Sequence, residues 1–203
     1  PCTDAARGLF GGIGSFGNGA AMRIVPVGLF FHRSADLYEK ACASAEVTHA
    51  NSLGMDGAAV QACAVAQATR LDYQKDFPSK EFMEELIDFP RTSEIRGKMI
   101  LVRNLLTGNV PPDVAARQIG RSVAVHESMP FAIYSFLRHP ESFTDCLFCA
   151  VLNGGDRDTL GAMASAISGA YLGMEAIPVS WKEKLENRAY IEELALQLSR
   201  NPA

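Results

Sequence analysis

The sequence predicts an all-α fold, and three observations carry that reading. Apolar residues recur at three- and four-residue steps through most of the 203-residue chain. Strand-like runs are scarce: only "RIVPVGLFF" (23–31) resembles one, and Pro26 in its middle argues against a central strand. The apolar stretches are rich in Ala, Gly and Ser, which suits close helix–helix approach.

The elements follow in chain order. "EKACASAEVTHA" (39–50) reads as an amphipathic helix, and 57–69 as a second, with Val60, Ala64 and Ala68 on one face. "DFPRTSEIRGK" (88–98) is polar and punctuated by Pro and Gly, which predicts a surface loop or linker. Pro111 and Pro112 suit the start of a helix whose apolar stripe runs through Val114, Ile119 and Val123. From Leu160, the residues Met163, Ala164, Ile167, Ala170 and Tyr171 mark a helix that Gly173 is placed to end. "IEELALQLSR" (191–200) reads as the last helix. Together these predict one all-α domain over 1–203.

Bulk properties narrow the functions. The net charge of −4 supplies no general attraction to DNA or to an anionic membrane, so any anion must be held by local groups. No apolar run approaches the roughly 18 residues of a membrane span. The five cysteines lie mostly in alanine-rich apolar stretches and read as small core residues. Cys146 and Cys149 form a CxxC, but inside "CLFCAVL", where packing is the expectation and redox or metal use the alternative. A reducing, intracellular compartment fits that usage. The chain begins at Pro1 with no leader pattern, which also fits a natural start lying further upstream.

"GGIGSFGNGAAMR" (11–23) is the first stretch that points to chemistry. Gly12, Gly14 and Gly17 spell GxGxxG, but a dinucleotide fold needs a strand before it, and "PCTDAARGLF" is no strand. A GxSxG hydrolase elbow fails because Ile13 occupies the first glycine position. What remains is glycine backbone able to bring N–H groups to an anion, with Ser15 and Asn18 adding hydrogen bonds and Phe10 and Phe16 able to stack on a base. The alternative is a glycine-rich turn between helices with both phenylalanines in the core.

"NGGDRDTLGAMASAISGAY" (153–171) is the second. Asp156, Asp158 and Thr159 offer two carboxylates and a hydroxyl at a helix mouth, the oxygen donors that a hard cation such as magnesium takes. Helix capping is the alternative, since one such carboxylate would satisfy free N–H groups there. His49 lies in "THANSLG" at a junction between helices and is the histidine best placed for function. His32 and His139 read as surface residues, and His126–Glu127 belongs to no HExxH pattern, because Pro130 stands where the second histidine would be.

Taken together, "GSFGNGAAMR", "THANSLG" and "GGDRDT" before a small-residue helix resemble the ADP-ribosylglycohydrolase family, in particular its serine-ADP-ribose and poly(ADP-ribose) hydrolase branch. The resemblance spans nearly the whole chain but only the C-terminal part of a family member. It implies a compact orthogonal helical bundle with two magnesium ions in a cleft. It implies Asp156, Asp158 and Thr159 as metal ligands, with Asp156 and Asp158 catalytic. Gly14, Ser15 and Phe16 would hold the diphosphate and proximal part of ADP-ribose, and Asn18 matches the family's loop asparagine. Phe10 and Phe16 would neighbour the adenine, Val123 would form an apolar wall, and His49 would touch the ligand.

The implied activity is magnesium-dependent hydrolysis of ADP-ribose from serine-modified protein, from poly(ADP-ribose) or from O-acetyl-ADP-ribose. The implied partners are those substrates, with no direct DNA binding. The implied setting is the response to DNA damage in nucleus, cytoplasm or mitochondrial matrix. Two departures stand beside this. Arg157 separates the two aspartates, and the glutamate and Thr-Asp-Asp that complete the family's metal shell are absent, "CTDA" (2–5) being the nearest string. A missing N-terminal segment or second chain would supply them. The alternative function is a non-catalytic ADP-ribose binder or a crystallin-like structural relative.

Overall fold

The computed structural model describes residues 2–200, and the two ends of the predicted 1–203 domain lie outside them. Among the described residues there are helices and no named strand, in agreement with the all-α expectation. The N-terminal half comprises α1 (Cys2–Gly12), α2 (Gly19–Arg23), α3 (Val25–Phe30), α4 (Leu37–Glu46), α5 (Ser52–Arg70) and α6 (Ser79–Asp88). Then come α7 (Ser93–Thr107), α8 (Pro112–Ile119), α9 (Val125–Arg138), α10 (Phe143–Leu152) and α11 (Arg157–Leu172). A 3₁₀ turn (Met174–Ala176), α12 (Val179–Glu183) and α13 (Arg188–Arg200) close the chain. The stretch 23–31 is helical, and Pro26 sits in the first turn of α3, where its missing N–H costs nothing.

Helix α5 is the axis of the bundle, packed against α2, α3, α4, α9 and α11. The expected single apolar face at Val60, Ala64 and Ala68 is too narrow: every residue from Asp56 to Ala68 is buried. Small side chains make this possible. A Cβ on Gly57 would lie 2.4 Å from Val125 Cγ2, so only glycine lets α9 approach there. Asn51 starts α5 by accepting from Leu53 N at 2.9 Å.

The loop or linker expected at 88–98 is shorter in the structure. Helix α7 begins at Ser93, capped by Thr92, so only 89–92 is irregular. Buried Asp56 on α5 holds that corner, accepting from Arg91 N (3.0 Å), Thr92 N (2.9 Å), the Thr92 hydroxyl and Tyr38 OH (2.8 Å). A buried carboxylate is tolerable because its lone pairs are filled. Val123 also departs from expectation. Gly120, with φ of 97°, ends α8 after Ile119, so Val123 lies in the following loop and is 66% exposed. The helix expected over 39–50 stops at Glu46, and Gly173 ends α11 where expected.

All five cysteines are free; Cys63, Cys146 and Cys149 are buried as expected, whereas Cys42 is half-buried and Cys2, near the start of α1, is exposed. Burial pushes the Cys146 thiol up to about 12 and Cys149 upward as well, so neither forms a ready thiolate for metal or redox chemistry. His32 and His139, expected on the surface, are half-buried. His32 sits against the end of α3, its Nδ1 2.8 Å from Leu29 O. No helix among the described residues is long and apolar enough to cross a membrane.

Candidate functional site

The glycine stretch is a loop between α1 and α2, and its backbone is held on two sides. Regular helix geometry in α1 ends before Leu9, and Phe10 takes a left-handed conformation (φ 52°). Gly14 carries φ of 73°, and a Cβ there would lie 2.7 Å from Asn51 N, so the loop rests directly on the start of α5. Asn51 reinforces this by donating from Nδ2 to Ile13 O at 3.0 Å. On the other side, Gly17 and Ala124 form an isolated antiparallel bridge. Asn18 N donates to Val123 O (2.9 Å), and Val125 N donates to Phe16 O (3.0 Å).

The turn of α8–α9 that pairs with the loop also supports the acidic turn. Asp156 N donates to Arg121 O at 3.0 Å, and the Arg121 guanidinium donates to Asn153 O. The two motifs therefore meet. Asn18 Nδ2 donates to Asp156 Oδ2 at 2.6 Å, and Thr159 Oγ1 lies 3.7 Å from Met22 Sδ on α2.

Capping and cation binding make different demands on the two aspartates, and the structure separates them. Asp156 occupies the N-cap position of α11, but its side chain makes no capping hydrogen bond and turns to Asn18 instead. Asp158 accepts from Thr159 N at 3.0 Å. That bond, and next the Asp156 side chain, hold Asp158 below the usual carboxylate range, so it is ionised at neutral pH. The Thr159 hydroxyl has only a weak sulfur acceptor, which a better ligand would displace. Asp156, Asp158 and Thr159 carry hard oxygen donors of the kind a magnesium-type cation takes. Among the described residues, no group of three or more His, Cys, Asp or Glu is arranged to hold a metal. Arg157, between the two carboxylates, is exposed.

The aromatic residues answer the core alternative. Phe10 is 70% exposed and Phe16 44%, and with Ile13 and Val123 they form an apolar surface about the glycine loop rather than part of the core. Phe16 has the His126 ring 6.0 Å behind it. His49 lies beneath the loop: its imidazole is 3.0–3.1 Å from where a Cβ on Gly19 would sit, and 3.5 Å from that of Gly17. Its Nδ1 is 2.7 Å from Thr48 Oγ1, which also accepts from Arg23. Burial, and then the Arg23 charge, hold His49 below the ordinary imidazole value, so it is neutral at pH 7. Ser15 packs its carbonyl against Gly54, and its hydroxyl accepts from Gly17 N at 3.2 Å.

Comparison with known proteins decides the relationship. The family model described as ADP-ribosylglycohydrolase matches residues 2–202.

The chain belongs to the ADP-ribosylglycohydrolase family.

Its relatives include the ADP-ribosylhydrolase ARH3 of Mus musculus, 36% identical over 97% of this chain and 60% of that protein. The ARH3 of Xenopus tropicalis is 38% identical over 89% of this chain and 59% of its own length. A solved chain from an ADP-ribosylglycohydrolase-related protein complex superposes with a TM-score of 0.74 at 25% identity, covering 93% of this chain and 61% of that one. The chain therefore spans about 60% of the length of these family members.

Two residues central to this geometry do not stand out in the sequence, although Asn51 lies within "THANSLG". Ser128 and Asn51 touch the glycine loop from α9 and from the start of α5, at sequence separations of 110 and 38 residues. Asn51 follows "THA" and could be read as an N-cap. Nothing local marks Ser128.

Proposed function

We propose that the protein hydrolyses the bond between ADP-ribose and its acceptor, with magnesium at the acidic turn. The observation that carries this is the Asn18–Asp156 hydrogen bond, which sets an anion-binding loop directly beside a pair of carboxylates. The backbone of Gly14, Ser15 and Phe16 and the hydroxyl of Ser15 hold the diphosphate, and Phe10, Phe16 and Val123 supply exposed apolar contact for the adenine end. Asp156, Asp158 and Thr159 would hold the cation, with water and ligand oxygens completing its shell, as hard cations commonly keep them. When bound, magnesium supplies positive charge that orients the ribose hydroxyls and water.

The chain's own groups account for the rest. The carboxylates of Asp156 and Asp158 offset positive charge that develops on the distal ribose as the anomeric bond to the acceptor breaks. Water adds its oxygen to the anomeric carbon, one of its protons passes to the departing acceptor, and free ADP-ribose is released. His49, neutral and beneath the loop, holds the loop's shape and contacts the ligand from that side. Serine-linked protein, poly(ADP-ribose) and O-acetyl-ADP-ribose all present this bond. Intracellular action on ADP-ribosylated proteins is consistent with the family membership.

Chromatographic release of ADP-ribose from each of the three substrates, with magnesium and with EDTA, tests the proposal. Release from at least one that EDTA abolishes is expected; no release from any overturns it. A second reading is favoured by the small donor set at the acidic turn, which offers fewer ligands than a binuclear centre needs. It holds that the protein binds ADP-ribose without cleaving it. Calorimetry then shows ADP-ribose binding that is indifferent to EDTA.

A further inference from the structure

Ser128 lies behind Asn18 and is fully buried on α9, with Asn18 6% exposed. Its hydroxyl is within 3.0 Å of Ala124 O, one turn back on α9, and within 3.0 Å of Asn18 Nδ2. A hydroxyl has one proton. Donating it to the carbonyl leaves the oxygen as acceptor for the Asn18 amide. The second proton of Asn18 Nδ2 goes to Asp156 Oδ2 at 2.6 Å. Both amide protons are thus committed, one to a rigid helix and one to the carboxylate. The reversed amide would aim its carbonyl oxygen at that carboxylate, so the orientation follows from the network.

We propose that Ser128 is a positioning residue for the cation site: it fixes the Asn18 amide, which fixes the Asp156 carboxylate through Oδ2. This rests on Asp156 being a cation ligand. Outer partners of this kind orient metal ligands in other proteins, and their loss costs roughly 10–100-fold in affinity. The loop itself is held by backbone bonds to Val123 and Val125 and by Asn51, so loss of Ser128 acts on the carboxylate rather than on the loop.

The test measures binding of Mn2+ alone to the full-length protein by electron paramagnetic resonance, beside ADP-ribose affinity in EDTA. Ser128→Ala is expected to raise the Mn2+ Kd about tenfold and to leave ADP-ribose affinity in EDTA within about twofold. Asn18→Ala is expected to weaken Mn2+ to a similar degree. The double variant should be no weaker than Asn18→Ala, since Ser128 acts through Asn18. Should Ser128→Ala lose its cooperative melt, Ser128→Cys keeps the volume with a poorer acceptor, and an intermediate Kd is expected. An unchanged Kd in the folded serine variant, or additive losses in the double variant, overturns the proposal. Wild-type protein that binds ADP-ribose in EDTA but no Mn2+ overturns the cation reading itself, and this inference with it.

Discussion

Asp156 N donates to Arg121 O at 3.0 Å, and that single bond hangs the acidic turn on the same short segment that the glycine loop pairs with. Two residues further along, Val123 O accepts from Asn18 N. The backbone of 121–124 thus spaces the two motifs before any side chain contributes. Preorganisation of this kind reduces what binding must spend on ordering the site.

Because backbone holds the acidic turn, removing one of its exposed charges leaves the fold intact. Asp158→Asn is expected to change unfolding free energy by no more than about 0.5 kcal/mol, as for a surface substitution. Mn2+ affinity is expected to fall at least tenfold, roughly the least effect that even outer-shell partners show. Urea denaturation and Mn2+ titration of the same preparation separate the two effects.

Gly14 is the position where the loop tolerates no side chain. Its φ of 73° and the 2.7 Å approach to Asn51 N leave a methyl group nowhere to go without moving the start of α5. Gly14→Ala is expected to cost about 1–3 kcal/mol in stability and to weaken ADP-ribose binding as the loop lifts. Both are read by chemical denaturation and calorimetry; a variant with wild-type values in both would show that the loop does not rest there.

The helical class was legible because period and composition agreed, as in 160–171 with Gly173 closing α11. Other elements were less so. The alanine-rich run of α5 shows one apolar face by periodicity, yet it is buried all round, because neighbouring helices on every side close on its small side chains. At 88–98, Pro and Gly signalled irregularity, but Thr92 caps a helix and buried Asp56 gathers the corner from another element. The same holds at the site. "GSFGNG" and "GGDRDT" stand out by spacing, and so did their residues. Ser128 is an ordinary helical serine until folding sets it against Asn18. Val123 looked like part of a helical stripe because nothing before it but Gly120 announces the break.

Asp56 gives a prediction of the opposite kind to Asp158. Asp56→Ala leaves the part-buried N–H groups of Arg91 and Thr92 without their acceptor, at up to about 1–3 kcal/mol for each unpaired group. A loss of more than about 2 kcal/mol is expected on that basis. ADP-ribose affinity of the folded fraction should hardly move, since no bond runs from Asp56 to the glycine loop. A denaturation midpoint near wild type would mean that water reaches those groups.

His49 predicts a pH dependence with a definite sign. Its pKa in the folded protein lies below 6.5, because burial and then Arg23 disfavour the charged form. The unfolded chain therefore binds the proton more readily. Stability is full above 6.5, falls as pH drops through that value, and stops falling once pH is below the folded value. His139 shifts in the same direction, chiefly through burial, so the two contributions must be separated. Denaturation midpoints of His49→Gln and His139→Gln between about pH 7.5 and 5 do so. Each variant is expected to show a shallower acid loss than wild type, and an unchanged slope in His49→Gln would place that ring in water.

Phe16 and Phe10 leave their rings open to solvent beside the glycine loop. A phenylalanine left 44% or 70% open beside glycine backbone contributes little to the fold. Each is therefore expected to be replaceable by alanine at a cost within about 0.5 kcal/mol in stability. Loss of base stacking is worth about 1–3 kcal/mol, which corresponds to about 5- to 150-fold in Kd. Calorimetry with ADP-ribose and with ribose 5-phosphate tells stacking from a general disturbance of the loop. If Phe16 or Phe10 stacks on adenine, its alanine variant loses affinity for ADP-ribose and not for the ligand that lacks a base. Equal losses for both ligands would instead assign that ring to shaping the diphosphate cradle.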